Sequence, residues 1–187
     1  MIVGVLTVAN QLTFLRILLI PAFVLLVTYG YLGWALLVFL TAGVTDALDG
    51  LIARRADQRT SLGAWLDPMA DKLLLVTTFI VLTLPAVELT HHVPLWLTIL
   101  IISRDVVIVG VVAIVNLAVG PRTFRPSIWG KLATATYIVT SVVFLYFNWR
   151  HQMSVVIDLV IWTALAATLV SSADYVVSMR RLINEST

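Results

Sequence analysis

Asp46-Ala47-Leu48-Asp49-Gly50-Leu51-Ile52-Ala53-Arg54, followed after eight residues by Gly63-Ala64-Trp65-Leu66-Asp67-Pro68-Met69-Ala70-Asp71, is the stretch on which the reading of this chain turns. Four aspartates, Asp46, Asp49, Asp67 and Asp71, fall within 26 residues of a chain that is otherwise almost wholly apolar. Carboxylates flanked by apolar helix are costly in a bilayer, so such a cluster marks a functional site by default. Four of them together suggest bound metal cations.

The surrounding composition sets the context. Of 187 residues, 60% are hydrophobic and 12% charged, and the mean hydropathy is +1.02. A soluble domain carries roughly 25% charged residues. The chain therefore reads as an integral membrane protein of one domain, residues 1–187. It has no cysteine, which excludes disulfides and Cys-ligated zinc or iron–sulfur sites. The net charge of +2 is small, and no nucleic-acid partner is expected. Met1 to Gln11 holds no Lys or Arg and no small-residue cleavage site, so the first apolar run is read as a permanent helix and not as a signal peptide.

Six runs approach the length of about 20 residues needed to cross a bilayer. They are Leu12–Tyr29, Leu32–Ala53, Leu66–Val87, Pro94–Val119, Ile128–Asn148 and Ser154–Val177. Strands are disfavoured because open sheet edges cannot sit in lipid. The expected fold is an all-α bundle of six transmembrane helices. Arg54, Arg55 and Arg59, then Arg122, Arg125 and Lys131, then Arg180 and Arg181 fall on one side, against Arg150 alone on the other. By the positive-inside rule both termini are cytoplasmic, and Tyr29, Tyr31, Trp96 and Trp149 form an outer aromatic belt. The aspartates then lie toward the cytosolic ends of the second and third helices. Their spacings, i,i+3 and i,i+4, put each pair on one helix face.

Two facing carboxylate pairs make an all-oxygen site for Mg²⁺, Mn²⁺ or Ca²⁺. Without cations, mutual repulsion would force some of the four to protonate. A metal held there could also hold a diphosphate and stabilise charge on phosphoryl and leaving oxygens. Gly50 and Ala53 beside Asp49 leave room for a ligand or a neighbouring helix, as does Gly63. Pro68 is read as a residue near a helix start, where its missing N–H matters least. Asp57, Asp158 and Asp174 read as solvated or capping residues. His91 and His92, in the loop after the third helix, read as a solvated pair.

The pattern D-x2-D-G-x2-A-R-x8-G-x3-D-x3-D, filled by Asp46, Asp49, Gly50, Ala53, Arg54, Gly63, Asp67 and Asp71, resembles the signature of the CDP-alcohol phosphatidyltransferases. Asn10-x-x-Thr13-x-x-Arg16, followed by Pro21, is similar to that family's first helix. The specific motifs cover about residues 10 to 72. The resemblance implies a CDP-diacylglycerol donor bound in a cavity open to the cytoplasm. It implies that Asp46, Asp49 and Asp67 coordinate one or two Mg²⁺ or Mn²⁺ ions. Asp71 would join the metal site and act as general base, while Asn10, Thr13, Asp49, Gly50, Ala53, Arg54 and Gly63 serve the donor. It further implies a homodimer, while the positive-inside count, for a bacterial host, gives an inner-membrane protein with a cytoplasmic active site.

The acceptor alcohol is less sharply encoded. Arg104, Arg122, Arg125 and Lys131 are the candidate cations for a phosphorylated acceptor. Bland readings stand beside them: an interhelical ion pair for Arg104 and Asp105, and lipid-headgroup anchors for Arg122 and Arg125. Lys131, opening the fifth helix after Gly130, is expected to point into the cavity. Chain size and N-terminus favour glycerol 3-phosphate, as in phosphatidylglycerophosphate synthases. Ile102-Ser103-Arg104-Asp105 and Gly130-Lys131-x-x-Thr134 lean toward phosphatidylglycerol, as in cardiolipin synthases. Two rival classes are an intramembrane prenyltransferase and a divalent-cation transporter. The prenyltransferase usually has more helices and widely separated motifs. The transporter usually has a midplane site on broken helices.

Overall fold

The computed structural model describes the backbone of residues 8–56, 61–119 and 127–184, and side chains over 15–45, 72–111 and 127–178. The described residues form helices α1 (Val8–Thr28), α2 (Leu32–Ala56), α3 (Ser61–Thr83), α4 (Leu95–Val119), α5 (Ile128–Arg150) and α6 (Val155–Asn184), with no strand among them. The hydropathy runs locate all six. They misplace several ends, because helix continues through polar residues that hydropathy discounts. Thus α3 starts at Ser61 and not Leu66, and α6 runs past Val177 to Asn184. Pro68 is consequently the eighth residue of α3 and not a first-turn residue. A proline at that depth has no N–H to give the carbonyl four residues back. The other end of α3 falls at Thr83, short of Val87, since Pro85 disfavours helical backbone at the residue before it.

Two helices among the described residues, Ile128–Arg150 and Val155–Ser178, are long and apolar enough to cross a membrane. Large apolar side chains such as Leu18, Trp34, Val106 and Leu159 are exposed, as lipid-facing residues are. Serine and threonine hydroxyls inside the helices mostly donate to the carbonyl four residues back, as Thr41 does to Leu37, Thr78 to Leu74 and Ser172 to Thr168. That leaves little unpaired polarity for an apolar solvent to meet.

The chain forms two compact units. One comprises Met1–His92 with Phe144–Met153, the other Val93–Val143 with Ser154–Thr187. In the first, α1 packs against both α2 and α3. Phe23 and Val27 of α1, Leu32, Ala35, Phe39 and Ala42 of α2, and Leu74, Phe79, Val81 and Leu82 of α3 are buried. The rings of Phe23 and Phe39 meet at 6.0 Å. The α1–α2 turn is tight because Gly30 takes a φ of 79°. Its N–H donates to Val27 O, and that of Tyr31 donates to Leu26 O, the pairing that ends a helix on a left-handed glycine.

Asn148, at the end of α5, is fully buried in the same unit. Its side-chain oxygen accepts from the His91 N–H at 2.8 Å, and its amide donates to the carbonyls of His91 at 3.0 Å and Phe144 at 2.9 Å. The His91 ring meets Gln152 O and the His92 ring meets Val87 O. His92 is exposed and His91 half-buried, as the sequence suggested for a solvated loop, and these bonds also pin that loop. The missing signal was Asn148, some 57 residues away along the chain.

The second unit packs α4 on α6. Tyr137 and Thr168 share a buried hydrogen bond of 2.8 Å, and the Tyr175 hydroxyl donates to Ile108 O at 3.3 Å. Ser127 caps α5 by accepting from the Gly130 N–H, and Ser154 caps α6 by accepting from Val156.

Candidate active site

The aspartates occupy consecutive helices joined by four residues. Counting from the joined ends, Asp49 lies seven residues before Ala56, about 10 Å, and Asp67 six residues after Ser61, about 9 Å. Asp46 and Asp71 each lie ten residues in, about 15 Å. Along the chain the aspartates thus stand at closely matched counts from the joined ends, 49 with 67 and 46 with 71.

Register agrees with level. On α2 the buried positions Leu32, Ala35, Phe39 and Ala42 advance by three and four, and the same step leads to 46, 49 and 53. On α3 the buried positions Leu74, Thr78 and Val81 step back to 71 and 67. On α1 the line through Val27, Phe23 and Arg16 continues to 13. The motif positions continue the packing seams of the first unit.

Asn10 and Thr13 lie in α1, Gly50, Ala53 and Arg54 in α2, and Gly63 in α3. Their side chains, like those of the four aspartates, lie outside the described residues, and Arg122 and Arg125 lie outside them altogether. As a donor set, four carboxylates fit a hard divalent cation such as Mg²⁺ or Mn²⁺.

The acceptor candidates that are described belong to the second unit. Arg104 sits midway along α4 with its side chain 9% exposed. Its Nη1 donates to Asp105 Oδ1 at 2.6 Å, so the ion pair is between chain neighbours and not between helices. The contact to another helix is made by Nη2, which donates to Ser171 Oγ on α6. The Arg104 Nε is buried with no hydrogen-bond partner. Gly130 lies against this pair: a Cβ there would be in van der Waals contact, 3.4 Å from Arg104 Nη2 and from Ser127 Oγ, and 3.9 Å from Ser171 Oγ. Lys131 is exposed, so its side chain is not buried beside Arg104.

Two residues of α6 escaped the sequence reading. Ser171 looks like any small residue of an apolar helix, and only its step from Ala164 and Thr168, both buried, hinted at a packed face. Asp174, read as a solvated helix end, is interior to α6, and its Oδ2 is buried without a hydrogen-bond partner.

Comparison with known proteins agrees with the motif. The chain is 34% identical over 177 residues to a "Probable phosphatidylglycerophosphate synthase" of Mycobacterium tuberculosis, covering 90% of this chain and 79% of that protein. It is 42% identical over 108 residues to a CDP-diacylglycerol–glycerol-3-phosphate 3-phosphatidyltransferase of Pseudomonas fluorescens, 54% of this chain and 52% of the other. It is also 34% identical to the human cardiolipin synthase (CMP-forming), over 89% of this chain and 59% of that one. These relatives set aside the prenyltransferase and transporter readings. Residues 6–170 match the CDP-alcohol phosphatidyltransferase pattern, nearly the whole chain, and with the aspartate spacing this establishes that the chain is an enzyme of the CDP-alcohol phosphatidyltransferase family.

Proposed function

We propose that this membrane enzyme transfers the phosphatidyl group of CDP-diacylglycerol to glycerol 3-phosphate, yielding phosphatidylglycerophosphate and CMP. The observation that supports this reading is the placement of the four motif aspartates on the consecutive helices α2 and α3, at closely matched counts from their joined ends. In this reading Asp46, Asp49, Asp67 and Asp71 hold one or two Mg²⁺ or Mn²⁺ ions. When bound, the metal supplies positive charge to the donor's phosphate oxygens and to the departing CMP. Asn10, Thr13, Gly50, Ala53, Arg54 and Gly63 seat the nucleotide of the donor.

Asp71 takes the proton from the acceptor hydroxyl. The acceptor oxygen then bonds to the lipid-linked phosphorus as the bond from that phosphorus to the CMP oxygen breaks. Arg104 orients the acceptor phosphate, joined by Lys131, Arg122 and Arg125. All six helices span the membrane as one domain. The termini and the active site face the cytoplasm of a bacterial inner membrane, and the chain works as a homodimer.

A second acceptor, phosphatidylglycerol, is favoured by Asp105 following Arg104 and by Gly130-Lys131-x-x-Thr134, features read above as nearer to cardiolipin synthases. The two are separated by an acceptor panel. Purified protein with Mn²⁺ and radiolabelled CDP-diacylglycerol is offered glycerol 3-phosphate, phosphatidylglycerol, inositol phosphate, serine or water alone. CMP release and phosphatidylglycerophosphate are expected with the first. Cardiolipin from the second would move the assignment, and no CMP release with any acceptor would end it.

A further inference from the structure

Arg16 is the most deeply buried charged side chain among the described residues, 1% exposed, and no step of the reaction above uses it. A guanidinium cannot shed its charge. Placed in the interior of a helix bundle, it has to be matched by negative charge or by hydrogen bonds, and Arg16 is indeed engaged by its surroundings.

Backbone register puts one motif position level with it. Phe23 of α1 and Phe39 of α2 touch ring to ring, so these residues are level across the α1–α2 hairpin. Seven residues make two helical turns and return to within about 20° of the same face. Seven residues back from Phe23 is Arg16, and seven residues on from Phe39 is Asp46. The helices run in opposite directions through the tight turn at Gly30. Both steps therefore lead the same way, by about 10 Å. Depth measured from the turn agrees: Arg16 lies twelve residues before Thr28, and Asp46 fourteen after Leu32. Asp71 lies as many residues from the α2–α3 connection as Asp46 does, on a helix that also packs on α1.

We propose that Arg16 is a resident counter-cation of the aspartate cluster, paired with Asp46 across the α1–α2 seam, and that it positions this carboxylate for metal binding. The proposal rests on the reading of Asp46 as a metal ligand. Carboxylates that share one metal site repel one another whenever the divalent ion is absent. A fixed positive charge on the adjoining helix lowers that repulsion and holds α1 against the motif. It also reduces the negative charge left for a metal to neutralise.

The test is a double-variant cycle on the full-length protein in detergent, read as the melting midpoint in EDTA and in excess Mn²⁺. Arg16→Met is expected to lower the midpoint in EDTA by roughly 10 °C, the scale for removing one partner of a buried pair in a chain of this size. Mn²⁺ should then raise it by more than it raises the wild type. Adding Asp46→Asn to Arg16→Met should recover at least half of the loss in EDTA, and Arg16→Lys should lose less than Arg16→Met. If Arg16→Met does not fold, the double variant and Arg16→Lys decide the matter. A double variant as unstable as Arg16→Met, or an Arg16→Met loss equal with and without Mn²⁺, overturns the proposal. Turnover plays no part in this readout. A wild type that releases no CMP would remove the proposed function and leave the Arg16–Asp46 coupling to stand or fall by itself.

Discussion

Arg104 is held in place by its neighbours. Asp105 fixes one terminal nitrogen, Ser171 receives the other, and Gly130 lies against them. Gly130→Val would put two methyl groups beyond a Cβ that already sits 3.4 Å from Arg104 Nη2. The expected result is a rise of about tenfold in KM for the acceptor, equivalent to about 1.4 kcal/mol, with KM for CDP-diacylglycerol little changed. Equal rises in both would separate Arg104 from the acceptor. Asp71→Asn keeps the shape of the side chain and removes the proton acceptor. Turnover is expected to fall by at least about 10²-fold while CDP binding, measured by calorimetry, persists. Full turnover would remove Asp71 as the base. Residue types and spacing made the aspartate motif readable from the chain alone, because each fixed position stands at a fixed step from the next. The seat of Arg104 was not readable, since Ser171 lies 67 residues away and carries no mark of its own.

Among the elements, the loop between α3 and α4 is held from a distance. Asn148 gives its oxygen and its amide to the two backbone groups of His91. Asn148→Ala would leave that N–H and carbonyl without these partners, at a cost of about 2 kcal/mol. In a chain of this length that corresponds to a drop of roughly 4–8 °C in the melting midpoint. Asn148→Asp should fare no better, since a carboxylate cannot donate to the carbonyls of His91 and Phe144. Melting within about a degree of the wild type would show the loop to be held by something else. Helix existence was legible because hydropathy averages over many residues. Helix ends were not, because they depend on local events: Pro85 stopping α3, and helix running on through the polar tail of α6.

For the whole molecule, the absence of cysteine makes orientation directly measurable. Met153→Cys, in the exposed α5–α6 connection, should react with an impermeant maleimide on intact cells. Ser178→Cys, exposed near the end of α6, should react only after permeabilisation. The opposite pattern would invert the proposed topology. The contact between Phe23 and Phe39 carries a consequence for how the chain can change length. It acts as a ruler for everything beyond it on both helices. One residue inserted between Arg16 and Phe23 would rotate the preceding segment by about 100° and swing the guanidinium out of its seam. Tolerated insertions here should come in sevens and in both helices together, so spacing in this hairpin is held as firmly as residue identity.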